Sequence, residues 1–128
     1  MAAHNFIREQ ATLERDLVTL YFRGTGAATS SLTAVKGKGL TSITRGGSAG
    51  IHTVVLDAKY NGLLYAQFQV IDTGTVDDWE VTLTSDLTTG NTFTIQVFKG
   101  GAAADLPTTA KLLAQIVLSN SAQLPVGY

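Results

Sequence analysis

One segment of this 128-residue chain matches a catalytic motif: Gly46-Gly47-Ser48-Ala49-Gly50 has the G-x-S-x-G pattern of a hydrolase nucleophile elbow. A working elbow lies between a strand and a helix and needs an acid, and then a histidine, later in the chain. The residues after the motif read as a strand, and neither His4 nor His52 follows an acid that itself comes after Ser48. We therefore predict a glycine-rich hairpin tip, where positive φ angles are needed.

Two other glycine groups are similar to phosphate-binding loops, Gly24-Thr25-Gly26 and Lys36-Gly37-Lys38-Gly39. Neither has the G-x-x-x-x-G-K-[ST] spacing, and neither opens a helix whose N-terminus could receive an anion. No pair of a nucleophile and a base, or of two carboxylates, falls on predicted neighbouring elements. The sequence therefore predicts no enzyme activity and no cofactor.

Metal chemistry has one candidate, the acidic cluster of Asp72, Asp77, Asp78 and Glu80. Calcium prefers such carboxylate oxygens, but the spacing matches no EF-hand loop. A solvated loop is the favoured interpretation, and a bound cation stays open as the alternative. His52 has no cysteine or second histidine nearby, so we expect a core or surface histidine. The chain has no cysteine, which excludes disulfides, thiolate zinc sites and cysteine nucleophiles.

The composition excludes two partner classes. Nine basic side chains against ten acidic ones give a net charge of −1, whereas nucleic-acid-binding proteins usually carry a clustered basic excess. No window approaches the ~20 apolar residues of a membrane span, and the N-terminus lacks the apolar core of a signal peptide. The sequence thus predicts a soluble protein made in the cytoplasm, without nucleic-acid or membrane partners. Only 15% of residues are charged, while 18 are Thr and 7 are Ser.

From Leu17 onward, apolar and polar residues alternate with the two-residue period of half-buried strands. Two of these runs are separated by a polar loop ending in Gly90, which predicts a hairpin. The nearly continuous apolar run Leu17 to Phe22 predicts a strand buried on both faces. A helix over Ala102 to Gln115 is excluded by Pro107. The predicted strands are 17–23, 40–45, 51–57, 63–72, 79–85, 92–99 and 111–119.

About seven strands without intervening helices predict an all-β fold: an antiparallel β-sandwich or a small barrel, jelly-roll-like. Residues 17–128 form one domain of ordinary size in this interpretation. Residues 1–16 differ, because Phe6, Leu13 and Leu17 fall on one helical face and Asn5 is an acceptable N-cap. They are predicted to form either a short N-terminal helix or an arm that reaches a neighbouring subunit.

The order of turns and strands resembles that of small virion proteins of tailed bacteriophages. The resemblance is carried by Lys36-Gly37-Lys38-Gly39-Leu40-Thr41-Ser42-Ile43-Thr44-Arg45, by Thr53-Val54-Val55-Leu56 after a glycine turn, and by Lys59-Tyr60-Asn61-Gly62-Leu63-Leu64. Ala104-Asp105-Leu106-Pro107 and Leu118-Ser119-Asn120-Ser121 also look like theirs. The resemblance covers about residues 12 to 121 and includes no invariant chemical residue.

The resemblance implies a head decoration, or cement, protein on the outer surface of the capsid. Such proteins are commonly trimeric and bridge neighbouring subunits of the major capsid protein, so the expected partners are that protein and two further copies of this chain. The contact candidates are Phe6, Ile7 and Leu13 in the arm, together with either one Thr-rich strand face or the loop group that carries Lys36, Lys38 and Arg45 as a basic patch across one turn.

The alternative is a head-fibre or tail-associated β-sandwich that binds a receptor or a glycan. An exposed aromatic ring would then provide the stacking platform, and the candidates are Tyr60, Tyr65, Trp79 and Tyr128. Trp79 is in phase with Val81 and Leu83, which predicts that it belongs to the core and disfavours this alternative.

Overall fold

The computed structural model describes residues 17–120. The predicted N-terminal helix or arm, with Phe6, Ile7 and Leu13, lies outside the described residues, as does Tyr128. The described part is all-β, and it contains no helix that could span a membrane.

Nine strands make up the described part of the chain. They are β1 (Leu17–Thr25), β2 (Thr33–Gly37), β3 (Leu40–Arg45), β4 (Ile51–Leu56), β5 (Gly62–Asp72), β6 (Trp79–Leu83), β7 (Thr92–Lys99), β8 (Ala102–Ala103) and β9 (Ala110–Ser119). All seven predicted strands are confirmed, with ends that differ by at most two residues from those predicted. The two missed strands are short, and apart from Thr33 and Val35 they consist of alanines, one lysine and one glycine, which are not typical of strands.

The strands form two antiparallel sheets that pack together as a β-sandwich. Sheet A has the order β2-β1-β9-β5, and sheet B has the order β3-β4-β7-β6, with the short β8 also paired to β7. The first and last described strands are neighbours, and the described chain crosses between the two sheets four times. The sandwich prediction is thus confirmed, as is the predicted hairpin of β6 and β7.

The core lies between the inner faces of the two sheets, and β7 and β9 run through its middle. Their alternation is complete: every second residue from Phe93 to Val97 and from Ala110 to Leu118 is buried. An interior strand of a sandwich has one face to bury, so a period of two follows. Leu56 of β4 and Leu106, in the loop before β9, are also buried in this core.

The prediction that β1 is buried on both faces is wrong. Phe22 and Gly24 face the core, but Thr19, Tyr21 and Arg23 are exposed, and Tyr21 keeps 63% of its surface. An antiparallel sheet packs only one face against its partner, and the described residues place nothing over the other face of sheet A. The apolar run in the sequence therefore combines the inward-facing Leu20 and Phe22 with the exposed ring of Tyr21, and it does not indicate a doubly buried strand.

Candidate functional site

The catalytic motif is a hairpin tip, as predicted, and it connects β3 to β4. Gly50 has a φ of +75°, and a Cβ there would lie 2.4 Å from the carbonyl oxygen of Val97. Ser48 is exposed at the tip, whereas His52 points from β4 into the core and is 1% exposed. Ser48 therefore lies in solvent and His52 lies inside the core, which does not suit a nucleophile and its base.

Arg45 is held in a structural ion pair at this tip. Its Nε and Nη2 atoms donate to the two carboxylate oxygens of Asp105 at 2.9 Å each, and its Nη1 donates to the carbonyl of Gly46 at 3.1 Å. The Gly50 amide also donates to Asp105, at 2.9 Å. The hydrogen bond from Arg45 is the main reason that the pKa of Asp105 is lowered. Asp105 thereby fastens the tip to the loop before β9.

The structure does not bring Arg45 together with Lys36 and Lys38. Lys36, near the end of β2, and Lys38, in the turn before β3, are exposed, whereas Arg45 is at the far end of β3. Arg45 is five positions along the strand from Leu40, which is a distance of ~17 Å. The predicted basic patch is thus divided between the two ends of one strand.

His52 is a core histidine, one of the two environments predicted for it. It lies opposite Arg45 and Ile95 in the strand register, and neither ring nitrogen has a hydrogen-bond partner. Burial lowers the pKa of His52, because the charged imidazolium loses its hydration. The imidazole is therefore neutral in the folded protein at neutral pH.

Asp72, the last residue of β5, holds the loop that follows the strand. Asp72 accepts hydrogen bonds from the amides of Gly74 and Thr75, from the Thr109 hydroxyl and from the Trp79 indole. The amide of Gly74 contributes most to the lowered pKa of Asp72. Among residues 17–120, no three His, Asp or Glu side chains lie close enough to hold a metal ion.

Asp77 and Lys99 form a second small cluster with Trp79. Asp77 pairs with Lys99 at 3.0 Å, and the Lys99 ammonium lies 5.6 Å from the centroid of the Trp79 ring. Trp79 is half-buried and packs against the core, which agrees with its predicted phase.

The outer face of sheet A carries the strongest candidate for a functional site. Its residues form four rows across β1, β9 and β5: Thr19, Val117 and Tyr65; Tyr21, Gln115 and Gln67; Arg23, Leu113 and Gln69; and Thr25, Lys111 and Ile71. Lys36 of β2 extends the third row beside Arg23. We call these residues the aromatic–cationic face.

This face combines exposed rings with charges of one sign. Tyr21 and Tyr65 are 63% and 53% exposed, and the cations are Arg23, Lys36 and Lys111. The only carboxylate on the strands of sheet A is Asp72, which lies in the inward-facing phase. Tyrosine and arginine are the residues that most often dominate the energy of protein–protein contacts.

The surface of this face is shallow and continuous, which suits a protein partner better than a small molecule. Two open depressions flank the Tyr21 and Leu113 side chains, with volumes of about 390 and 210 Å³. The rings are held by weak side-chain contacts, such as the 3.3 Å hydrogen bond from the Gln115 amide to the Tyr21 hydroxyl. A pre-formed flat face of this kind can bind with little reorganisation.

The outer face of sheet B has a different chemistry. Thr44, Thr53 and Thr94 lie side by side on β3, β4 and β7, and Thr84, directly after β6, continues the row, with its hydroxyl 2.7 Å from that of Thr94. Glu80, opposite Phe98, is the one charged side chain in the outward phase of β6 and β7. Much of the threonine excess of the sequence therefore forms one hydroxyl-covered face with little charge.

Lys36 and Tyr65 are among the contact and stacking candidates predicted from the sequence. The sequence pattern alone did not predict that they share a surface with Tyr21, Arg23, Leu113 and Lys111. The signal was present, since the odd-numbered residues of 17–25 and 111–117 share one phase of a two-residue period. The apolar run in β1 hid it, because such a run is also typical of a strand buried on both faces.

Comparison with known proteins adds no relative: no family model, no curated protein and no solved structure matches this chain. Its function must therefore be inferred from the chemistry of the two outer faces. One face carries exposed aromatic rings and cations, and the other carries hydroxyl groups and the single carboxylate of Glu80 on β6 and β7.

Proposed function

We propose that this chain is a structural protein of a bacteriophage virion, which binds the outside of the capsid and stabilises contacts between major capsid subunits. Two lines support the proposal. The first is the resemblance carried by the segments from Lys36 to Leu64. The second, and the observation that carries most weight, is the aromatic–cationic face of sheet A.

A cement protein needs a rigid surface that binds other proteins and needs no chemistry. The sandwich supplies rigidity through two sheets that share one core. Tyr21 and Tyr65 supply apolar contact area with few rotatable bonds, and Arg23 can form bidentate pairs with carboxylates. Charge of one sign on the docking face also steers association towards an acidic surface. The outer surface of the virion is the corresponding location.

The proposal includes no catalytic step. Ser48 is an exposed tip residue, His52 is enclosed in the core, and Arg45 with Asp105 forms a structural tie. These residue types are therefore explained by folding, and they need no substrate.

The experiment is co-sedimentation of the purified protein with expanded, undecorated capsids. We expect the wild-type protein to pellet with the capsids and the double variant Tyr21→Ser/Arg23→Glu to stay in the supernatant. Lys59→Glu, which changes an exposed cation in the turn before β5, is the matched control and should pellet. Failure of the wild-type protein to pellet would contradict the proposal.

A second candidate function is glycan or receptor binding by a head-fibre or tail component. The specific observation in its favour is that Tyr21 and Tyr65 are exposed on adjacent rows of one flat face, where sugar rings could stack. Trp79 does not support it, because its indole is half-buried and donates to Asp72. Binding to host-cell glycans with no binding to capsids would favour this candidate.

A further inference from the structure

β5 is a long edge strand that carries almost no charge. It runs for 11 residues at the end of sheet A, and it has no charged residue between Gly62 and Asp72 and no proline. The other strands at the ends of the two sheets are β2, β3 and β6, with five or six residues each, and they contain Lys36, Arg45 and Glu80. Proteins commonly protect sheet edges with short strands and charges, because a long neutral edge pairs readily with another chain.

The same strand concentrates the exposed apolar side chains. Five large apolar residues of the described chain are exposed, and three of them are on β5: Leu64, Tyr65 and Ile71, at 37%, 53% and 42%. Beside the strand, an open hollow of about 430 Å³ lies between the sheets and is lined by Leu63, Leu64 and Leu83 among others. Exposed apolar area gathered at one place marks an interaction site.

The backbone of β5 is also oriented for strand addition. The Thr73 amide donates to the Thr109 carbonyl, and Gly26 donates to the Ala110 carbonyl on the opposite side of β9. Because hydrogen-bonding direction alternates along an antiparallel strand, the odd-numbered residues from Tyr65 to Ile71 bond to β9. The amides and carbonyls of Ala66, Phe68 and Val70 consequently point to the open side, where the described residues supply no strand.

We infer that a second copy of this chain occupies the β5 edge, through its own β5, in an antiparallel pair with a two-fold axis at Phe68. In this register Tyr65 lies opposite Ile71 of the second copy, and Gln67 lies opposite Gln69 of the second copy. The exposed ring of Tyr65 thus contacts the exposed, β-branched side chain of Ile71 in the second copy, which is a favourable cross-strand pair. β5 itself places no like charges opposite each other in this register, and the nearest carboxylates, Asp77 and Glu80, line an open depression beside Phe68, Gln69 and Val70.

The choice of a second copy rests on this self-complementarity and on continuity with the aromatic–cationic face. Tyr65, Gln67, Gln69 and Ile71 belong to both, so pairing extends sheet A from four strands to eight and sets two such faces side by side. Two linked faces bind two neighbouring sites with a gain in effective concentration. The pair itself does not depend on the capsid role.

A two-fold pair differs from the trimer that the sequence resemblance implies, because three copies around one axis cannot all pair β5 with β5. The mass of the free protein separates the two arrangements. We expect light scattering to give twice the 13.5 kDa chain mass. A monomer at all concentrations, or a trimer, would overturn the inference.

The register is tested by charge pairs at positions 67 and 69. Gln67→Lys/Gln69→Lys sets like charges opposite each other across the axis, so we expect the dissociation constant of the dimer to rise about ten-fold or more. Gln67→Lys/Gln69→Glu sets opposite charges there and should retain the dimer. Thr19→Lys/Gln115→Lys adds the same charge to the same face away from the β5 edge, and it should also retain the dimer. Equal dimerisation of all three variants would contradict the inference.

Cysteine cross-linking gives a second measurement that does not depend on a loss of binding. Under mild oxidation, a mixture of Gln67→Cys and Gln69→Cys proteins should form a disulfide-linked pair in high yield, because these positions face each other. Each variant alone should link far less. Cross-linking of each variant alone to the same extent as the mixture would overturn the proposed register.

Discussion

His52 and the Arg45–Asp105 ion pair show how single residues set the pH response of this protein. The imidazole is enclosed with both nitrogens unpartnered, and the Asp105 carboxylate is fixed by three donors. Both groups have lowered pKa values, for different reasons: burial acts on His52, and hydrogen bonding acts on Asp105. For each group, the free energy of unfolding therefore falls on acidification. The two losses occur in separate pH ranges.

For His52 the unfolded chain binds a proton more readily than the folded protein, so stability falls as the pH drops below the ordinary value of 6.5. The loss ends once the pH is below the lowered pKa of the folded state. We expect the melting temperature to decline between pH 7 and pH 5 and the decline to be much smaller in His52→Leu. An identical decline in both proteins would contradict this assignment.

For Asp105 the stabilisation is complete above the ordinary carboxyl pKa of 3.8 and disappears as the pH falls through the lower folded value. Asp105→Ala removes the acceptor for Arg45 and for the Gly50 amide. We expect a loss of about 1–3 kcal/mol in the free energy of unfolding, measured by urea titration at pH 7. Asp78→Ala, an exposed acid close to β6, should change that free energy by less than about 0.5 kcal/mol. Equal losses in the two variants would contradict a stabilising role for the hydrogen bonds of Asp105 with Arg45 and Gly50.

At the scale of elements, the period of two explains which strands could be predicted from the sequence. β7 and β9 alternate without a break, and their predicted ends lie within a residue of the observed ones. β2 was missed because only Val35 packs inward, among residues that also suit a loop. Tertiary pairing with β1, which the local sequence does not encode, decides its conformation.

The candidate site was harder to predict than the fold for a similar reason. The face of sheet A is assembled from residues on four strands that are distant in sequence, so its members can be found only from the strand order. The sequence suggested a basic patch from neighbouring positions, but the structure moves Arg45 away from Lys36 and places Arg23 beside Lys36 instead.

The β3–β4 tip offers a test of a local element. A side chain at Gly50 would meet the Val97 carbonyl and would have to adopt a φ of +75°, so we expect Gly50→Ala to lower the free energy of unfolding by about 1–3 kcal/mol. A Cβ at Gly47 in the same tip would have nothing within 4 Å, and Gly47→Ala should leave stability nearly unchanged. Similar melting temperatures for the two variants would show that the tip is not fixed as described.

At the scale of the whole molecule, the sandwich presents two outer faces of contrasting chemistry. Sheet A offers tyrosines and cations, and sheet B offers a neutral row of threonines. The low charge of the sequence is thus unevenly distributed, with cations but no carboxylate on the aromatic–cationic face. In our proposal the first face meets the capsid, and the second suits solvent or a neighbouring protein.

The N-terminal segment can be tested separately from the sandwich. Because residues 17–120 contain both sheets and their shared core, we expect deletion of residues 1–16 to change the melting temperature by no more than about 2 °C. Binding to undecorated capsids should weaken in the same protein if Phe6, Ile7 and Leu13 contact the shell. A large fall in the melting temperature would instead assign the segment to the core.

Docking of the aromatic–cationic face of sheet A on the capsid is the central claim. The most direct measurement is a cryo-electron microscopy reconstruction of undecorated capsids incubated with the purified protein. We expect added density on the outer surface, with the strands of sheet A and the side chains of Tyr21, Arg23 and Lys111 against the shell. Density that places the threonine face of sheet B against the shell, or no added density, would contradict the claim.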